Sequence, residues 1–220
     1  MDLAEKIFMY ADELRAVAAT GLGFSEDKPY DAERYRHVRC IAAKLVGLVD
    51  PRPADAIEKT LFTQLTHSAP VPCGDAAIFD DQDRLLLIRR ADDGLWALPG
   101  GLLELGETPM EGVAREALEE SGANVQVTDL IGIYDSRYCG ARSPVQLYIL
   151  VFHCRLVEHR PQWATTPHEV LDVGWFQGDS LPPLSPGHTV RVPDALSYHR
   201  QRWPTFFDGG RGRDLSLERP

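Results

Sequence analysis

Three glutamates, Glu116, Glu119 and Glu120, stand at i, i+3 and i+4 in the stretch from Gly101 to Ala123, GLLELGETPMEGVAREALEESGA. At 100° per residue this spacing places all three on one face of a helix. Like charges so placed repel by about 0.2–0.5 kcal/mol per pair. A divalent cation turns that cost into coordination, and carboxylate oxygens suit a hard ion such as Mg²⁺ or Mn²⁺. Such an ion on a diphosphate neutralises its charge and lowers the pKa of a bound water, which can then attack phosphorus. Taken alone, an acidic triplet also reads as a solvated helix face. Arg115 lies four residues from both Glu111 and Glu119, within reach of either carboxylate.

The helix that carries these groups announces its own ends. Thr108 with Glu111 three residues on forms a capping box, Pro109 suits the first helical position, and Gly122 stops the helix. Glu107, just ahead of it, sits near the positive end of the helix dipole. Met110, Ala114, Ala117 and Leu118 fall on the other side, with Val113 at the border, and this side is expected to pack on a sheet.

The whole segment resembles the Nudix box, G-x5-E-x7-R-E-U-x-E-E-x-G-U, where U is apolar. All seven fixed positions are filled, by Gly101, Glu107, Arg115, Glu116, Glu119, Glu120 and Gly122. Chance agreement is on the order of 10⁻⁹ per starting position at ordinary residue frequencies. The U positions, Ala117 and Ala123, are smaller than the usual aliphatics, a departure that bears on packing. The resemblance implies a Nudix hydrolase that cleaves a nucleoside diphosphate linked to another moiety with Mg²⁺ or Mn²⁺. It assigns Glu116 and Glu120 as metal ligands, Glu119 as a third, directly or through water, and the Gly101 carbonyl as a further one. Glu116, Glu119, Glu120 and Arg115 are thereby the catalytic set, while Glu107 and Gly122 hold the motif together. The general base is left open between Glu169 and Asp172, in and after the loop entering the last strand. Substrate contacts are expected from Arg90, Tyr134 and Asp135.

Around the box the pattern changes along the chain. Residues 1–67 read as helical, with an apolar stripe from Leu3 to Val17 stopped by Gly21, a second helix capped by Asp31, and a third after Pro53 carrying Ile57, Leu61, Phe62 and Leu65. Residues 66–73, THSAPVPC, read as a linker. Short strands follow at 76–79 and 85–88, joined as a hairpin, and strand-like runs return at 124–134, 145–156 and 170–176. A last helix is expected from Pro193 to Trp203, and residues 206–220 read as a flexible tail. The expected architecture is α+β: a Nudix α/β/α sandwich with a mixed sheet over 68–205, preceded by an all-helical domain over 1–67 that serves dimerisation or substrate enclosure.

That helical domain, with DGLWALPGG ahead of the box, Tyr134-Asp135 after it and LPPLSPG at 181–187, resembles one Nudix subgroup. The subgroup includes CDP-choline pyrophosphatases and ADP-ribose pyrophosphatases. It implies cleavage of CDP-choline to CMP and phosphocholine, or alternatively of ADP-ribose or another nucleoside diphosphate sugar. A noncatalytic sensor of a nucleotide metabolite is the reading from another class.

Composition narrows the partners. The 220 residues carry 23 Lys+Arg against 33 Asp+Glu, a formal charge of −10, which argues against general nucleic-acid binding. There is no apolar run of the roughly 18 residues needed to span a bilayer. The four cysteines, at 40, 73, 139 and 154, have no metal-ligand spacing and read as reduced thiols, which fits a cytoplasmic protein. A helical segment of 67 residues barely buries its own apolar stripes, so a homodimer is expected.

Overall fold

The computed structural model describes residues 3–25, 27–53, 56–57, 70–141, 146–202 and 204–207. The chain divides into two compact units, Met1–Ala69 with Glu104–Gly106, and Pro70–Leu103 with Glu107–Pro220.

The first unit holds α1, Leu3–Gly23, and α2, Pro29–Val46. Small and branched side chains fill the space between them: Ala11, Ala42, Ala43 and Val46 are buried with Ile57. α1 runs one half-turn past the expected stop at Gly21, where the absence of a side chain admits the ring of Tyr35. α2 also departs from expectation. Its N-cap is Lys28 and Pro29 takes the first turn, so Asp31 lies inside the helix, where it pairs with Arg34. A carboxylate there still favours the dipole without capping it. Of the expected third helix, Leu61, Phe62 and Leu65 lie outside the described residues.

The second unit is built on a mixed sheet. Its strands are β1 Val71–Phe79, β2 Leu85–Arg90, β3 Trp96–Ala97, β4 Gly100–Leu102, β5 Ala123–Asp135, β6 Leu147–His159, β7 Val170–Phe176 and β8 Phe206–Phe207. The main order is β3-β2-β1-β6-β5-β8, with β4 paired to β1 and β7 to β2. β1 and β6 run parallel, whereas β1–β2, β1–β4, β2–β7 and β5–β6 are antiparallel. The sheet begins earlier than the expected linker boundary, because Val71 to Cys73 already pair with β6. It also reaches into the expected tail, where Phe206 and Phe207 pair with β5; residues 208–220 lie outside the described residues.

Two helices cover the two faces. α3, Pro109–Ser121, and α4, His188–Arg200, are separated by the period-2 alternation of β1. Cys73, Ala77 and Phe79 face the α4 core, while Ala76 and Ile78 face the α3 core. α4 starts five residues before the expected Pro193, which lies inside the helix and forgoes one backbone bond. α3 has the expected ends: Thr108 and Glu111 exchange both capping-box bonds, and Gly122 closes the helix at φ 71°. Its buried stripe differs from the expected one. Val113 and Ala117 are the packed centre, and Met110 is exposed. Gly74 on β1 makes the close approach possible, since a Cβ there would collide with Val113. Among the described residues no helix is long and apolar enough to cross a membrane.

Gly122 meets two demands, a left-handed φ and a backbone, Arg160, that a Cβ would strike. Gly122→Ala is expected to destabilise the fold by at least about 1–2 kcal/mol from backbone conformation alone. Urea unfolding measures this, and an unchanged midpoint would contradict it.

Candidate active site

α3 meets the sheet where β1 and β4 are richest in glycine. Gly74 pairs with Gly101 and Asp75 with Gly100. The stripe Val113, Ala117, Glu120 is i, i+4, i+7, so Glu120 points at the sheet with the apolar residues. It is buried, and its Oε2 accepts the Gly100 N–H at 2.7 Å. Burial, reinforced by the nearby Glu116 and Asp75, pushes its carboxyl up to about 8.

Glu116, one turn earlier, is half-buried, and burial also raises its carboxyl above the usual range. A Cβ on Gly101 would stand 2.7 Å from Glu116 Oε1, so glycine leaves the carboxylate against bare backbone. Glu119 lies further out on the same helix. Arg115 gathers the group: it bonds Glu107 through Nε at 3.0 Å and Nη2 at 2.9 Å, Glu116 at 2.9 Å and Glu119 at 3.3 Å. Its Nη2 also donates to the Leu102 carbonyl at 3.2 Å. Hydrogen bonding to Glu107 foremost raises the guanidinium pKa, so it stays charged. Glu107 thus ties the loop before α3 to the helix.

The donor types suit a hard cation. Glu120 is a buried carboxylate short of positive charge, Glu116 and Glu119 bring further oxygens, and glycine backbone lies alongside. Among the described residues no three acidic, histidine or cysteine side chains already converge as a cation cage. Arg115 draws Glu116 and Glu119 outward, while Gly100 holds Glu120 inward.

The other expected site residues fall in different places. Arg90 ends β2, pairs with Asp92, and its charge reaches both Glu120 and Asp75. Glu169 is in a loop fixed to both neighbours of the site. Thr165 N, Thr166 N and Thr166 Oγ1 all donate to the Glu119 carbonyl, at 2.8, 3.4 and 3.2 Å. Ala91 N donates to the Glu169 carbonyl at 2.8 Å. Asp172 alternates with Val173 and Trp175, which pack with the α3 core, so its side chain leaves by the other face. None of the four cysteines is in a disulfide, and three are buried.

Tyr134 and Asp135 do not line the site. Tyr134 is 1% exposed in the α4-side core, with its hydroxyl donating to Asp194 Oδ2 at 3.0 Å. Asp135 lies two strands away from β1 and is held by Arg137 and Gln146. Hydrogen bonding from Arg137 keeps its carboxyl low, at about 2. The alternation of β5 turns Tyr134 inward, which the dipeptide alone does not reveal.

The structure also brings together a second group, whose members lie far apart in the sequence. Asp75 is buried on β1 and pairs with Arg191 on α4, Nε to Oδ2 at 2.7 Å. His188 is buried beside them and is held neutral, chiefly by burial. A charged residue inside the apolar run VPCGDAAIF was the available signal, because a buried charge needs a partner.

Comparison with known proteins agrees with this geometry. The NUDIX domain family matches residues 72–194. The chain belongs to the NUDIX family. Residues 5–61 match a second family, the UDP-X-like N-terminal oligomerisation domain. The Bacillus subtilis protein named putative ADP-ribose pyrophosphatase YjhB is 33% identical over 204 residues, 90% of this chain and 95% of that protein. The crystal structure of a UDP-X diphosphatase aligns with a TM-score of 0.58 at 25% identity, covering 93% of this chain and 99% of the other. An ADP-ribose pyrophosphatase from Streptococcus suis aligns at 0.55 and 31% identity, covering 64% and 100%. As a Nudix hydrolase, the chain is an enzyme that acts on phosphorus-containing anhydrides.

The raised Glu120 carboxyl makes a prediction for the metal-free protein. The unfolded chain releases this proton near pH 4.5, the folded one near 8. Between these values the folded state holds more protons, so stability falls as pH rises from about 5 to 8. Denaturation midpoints across that range should fall more steeply for the wild type than for Glu120→Gln. Parallel curves would contradict the assignment.

Proposed function

We propose that the protein is a Mg²⁺- or Mn²⁺-dependent pyrophosphohydrolase of a nucleoside diphosphate linked to a second group X. The carrying observation is one helix that sets Glu120 against the Gly100 amide and Glu116 against Gly101, with Arg115 holding Glu116 and Glu119. Glu116, Glu120 and the Gly101 carbonyl would hold the ion, with Glu119 directly or through water. A bound ion supplies charge neutralisation of the diphosphate and a water of lowered pKa.

The chain's own groups do the remaining work. Arg115 and Glu107 keep the loop and helix in register. Arg90 offers a cation to a phosphate at the end of β2. Glu169, exposed on a loop tied to the Glu119 carbonyl, takes the proton of the attacking water. Water adds to one phosphorus, the bridging oxygen leaves with the other, and a nucleoside monophosphate and phosphorylated X result.

Relatives named for ADP-ribose and UDP-X favour those two substrates as the starting point. CDP-choline stays in the comparison set because of the helical segment ahead of the box. That segment also supports a homodimer. α1 and the turn after it expose Leu3, Phe8, Tyr10, Val17 and Phe24, apolar surface that a second copy would cover.

The test is a panel of ADP-ribose, UDP-sugars, CDP-choline, dinucleoside polyphosphates and oxidised dGTP, with products separated by chromatography. Glu116→Gln and Glu120→Gln should each lose turnover on the order of 10³-fold, the scale of several kcal/mol of charge stabilisation. Their circular dichroism should match the wild type. Chelation should abolish turnover, and Mg²⁺ should restore it. Full activity in both variants would overturn the reading. Metal-dependent binding without product would make the protein a sensor instead.

A further inference from the structure

The segment before the box, Trp96 to Gly100, pairs with β2 through Trp96 and Ala97 and with β1 through Gly100, and it presents the amide that fixes Glu120. Further bonds go to a part of the chain far away in sequence. Trp96 N donates to the Pro183 carbonyl at 3.0 Å, and Ser185 N returns a bond to the Trp96 carbonyl at 2.8 Å. Ser185 Oγ donates to Asp93 at 2.6 Å. Leu98 N donates to His188 Nδ1 at 3.2 Å, across 90 residues. Pro99 then gives its carbonyl to Ala76 N at 2.8 Å, beside Asp75. Asp75 is the anchor of Arg191, whose Nη2 lies 2.9 Å from His188 Nε2.

We propose that His188 and Arg191 on α4 are positioning residues of the hydrolytic site. They hold the Trp96–Gly100 segment from the opposite face of the sheet and so fix the amide that orients the Glu120 carboxylate. The imidazole accepts the Leu98 N–H on Nδ1, and Arg191 lies against its other edge. Asp75 compensates the buried guanidinium, which gives the charge inside β1 its partner. The inference rests on the reading of Glu120 as a metal ligand.

Two substitutions separate positioning from core packing. The side-chain oxygen of His188→Asn stands one bond beyond Cγ, where Nδ1 of histidine stands, so the Leu98 amide keeps an acceptor. His188→Leu fills the space without one. For His188→Leu, amide hydrogen exchange at Leu98 and Gly100 should speed up. Mn²⁺ binding measured calorimetrically without substrate should weaken about 10-fold or more, as for other residues that orient ligands. With substrate at saturation, kcat should fall more than KM rises. His188→Asn should recover most of each change. Wild-type exchange and Mn²⁺ affinity in His188→Leu would overturn the proposal. If His188→Leu does not fold, His188→Gln, whose oxygen reaches the Nε2 position, replaces it; equal behaviour of Asn and Gln then overturns it. A wild type that binds no Mn²⁺ would reject the metal reading instead, and the exchange measurements would still decide the brace.

Discussion

A carboxylate held at the seam between α3 and β4 is the constraint on which the site depends. Glu120 leaves water for a place that offers one backbone donor, the Gly100 amide. A hydrogen bond to a charged group contributes about 1.5–3 kcal/mol, whereas burying an ion costs several. The bond therefore falls short, and the carboxyl stays protonated towards pH 8. A cation at this point would close the deficit. The same imbalance accounts for the geometry around it. Glycines at 74 and 101 let backbone lie where side chains would displace the helix or its acids, and Gly100 lies where a side chain would strike β1. Arg115 sits on the outer acids and not on the inner one.

The two small residues of the box acquire a reason in this light. Ala117 and Ala123 are fully buried, and Val113 presses on Gly74. A larger side chain at Ala117, on the buried stripe that Glu120 continues, would press α3 outward from the sheet. Packing and chemistry are thus set by the same interval between helix and sheet.

What the sequence revealed was local. The capping box, Gly122, the β1–β2 hairpin and the later strands follow from spacings of a few residues, and they stand close to where the spacings put them. The acidic triplet and Arg115 were legible for the same reason. The wheel did not distinguish Glu120 from Glu116 and Glu119, because a helix face does not say which edge meets a sheet. Tyr134 read as a cleft residue until strand alternation placed it in the core. Asp75, His188 and Arg191 were not legible as a group, since Asp75 and Arg191 are 116 residues apart. The early start of α4 was hidden by Pro193, which a local reading treats as a beginning.

That long separation gives the enzyme a history as well as a shape. A chain made from its N-terminus forms the acidic helix well before the residues that pin the loop beside it. Local helix formation is fast, whereas closure over such a distance is slow. The alignment of the site is thus tied to closure over 116 residues, which local helix formation alone does not supply.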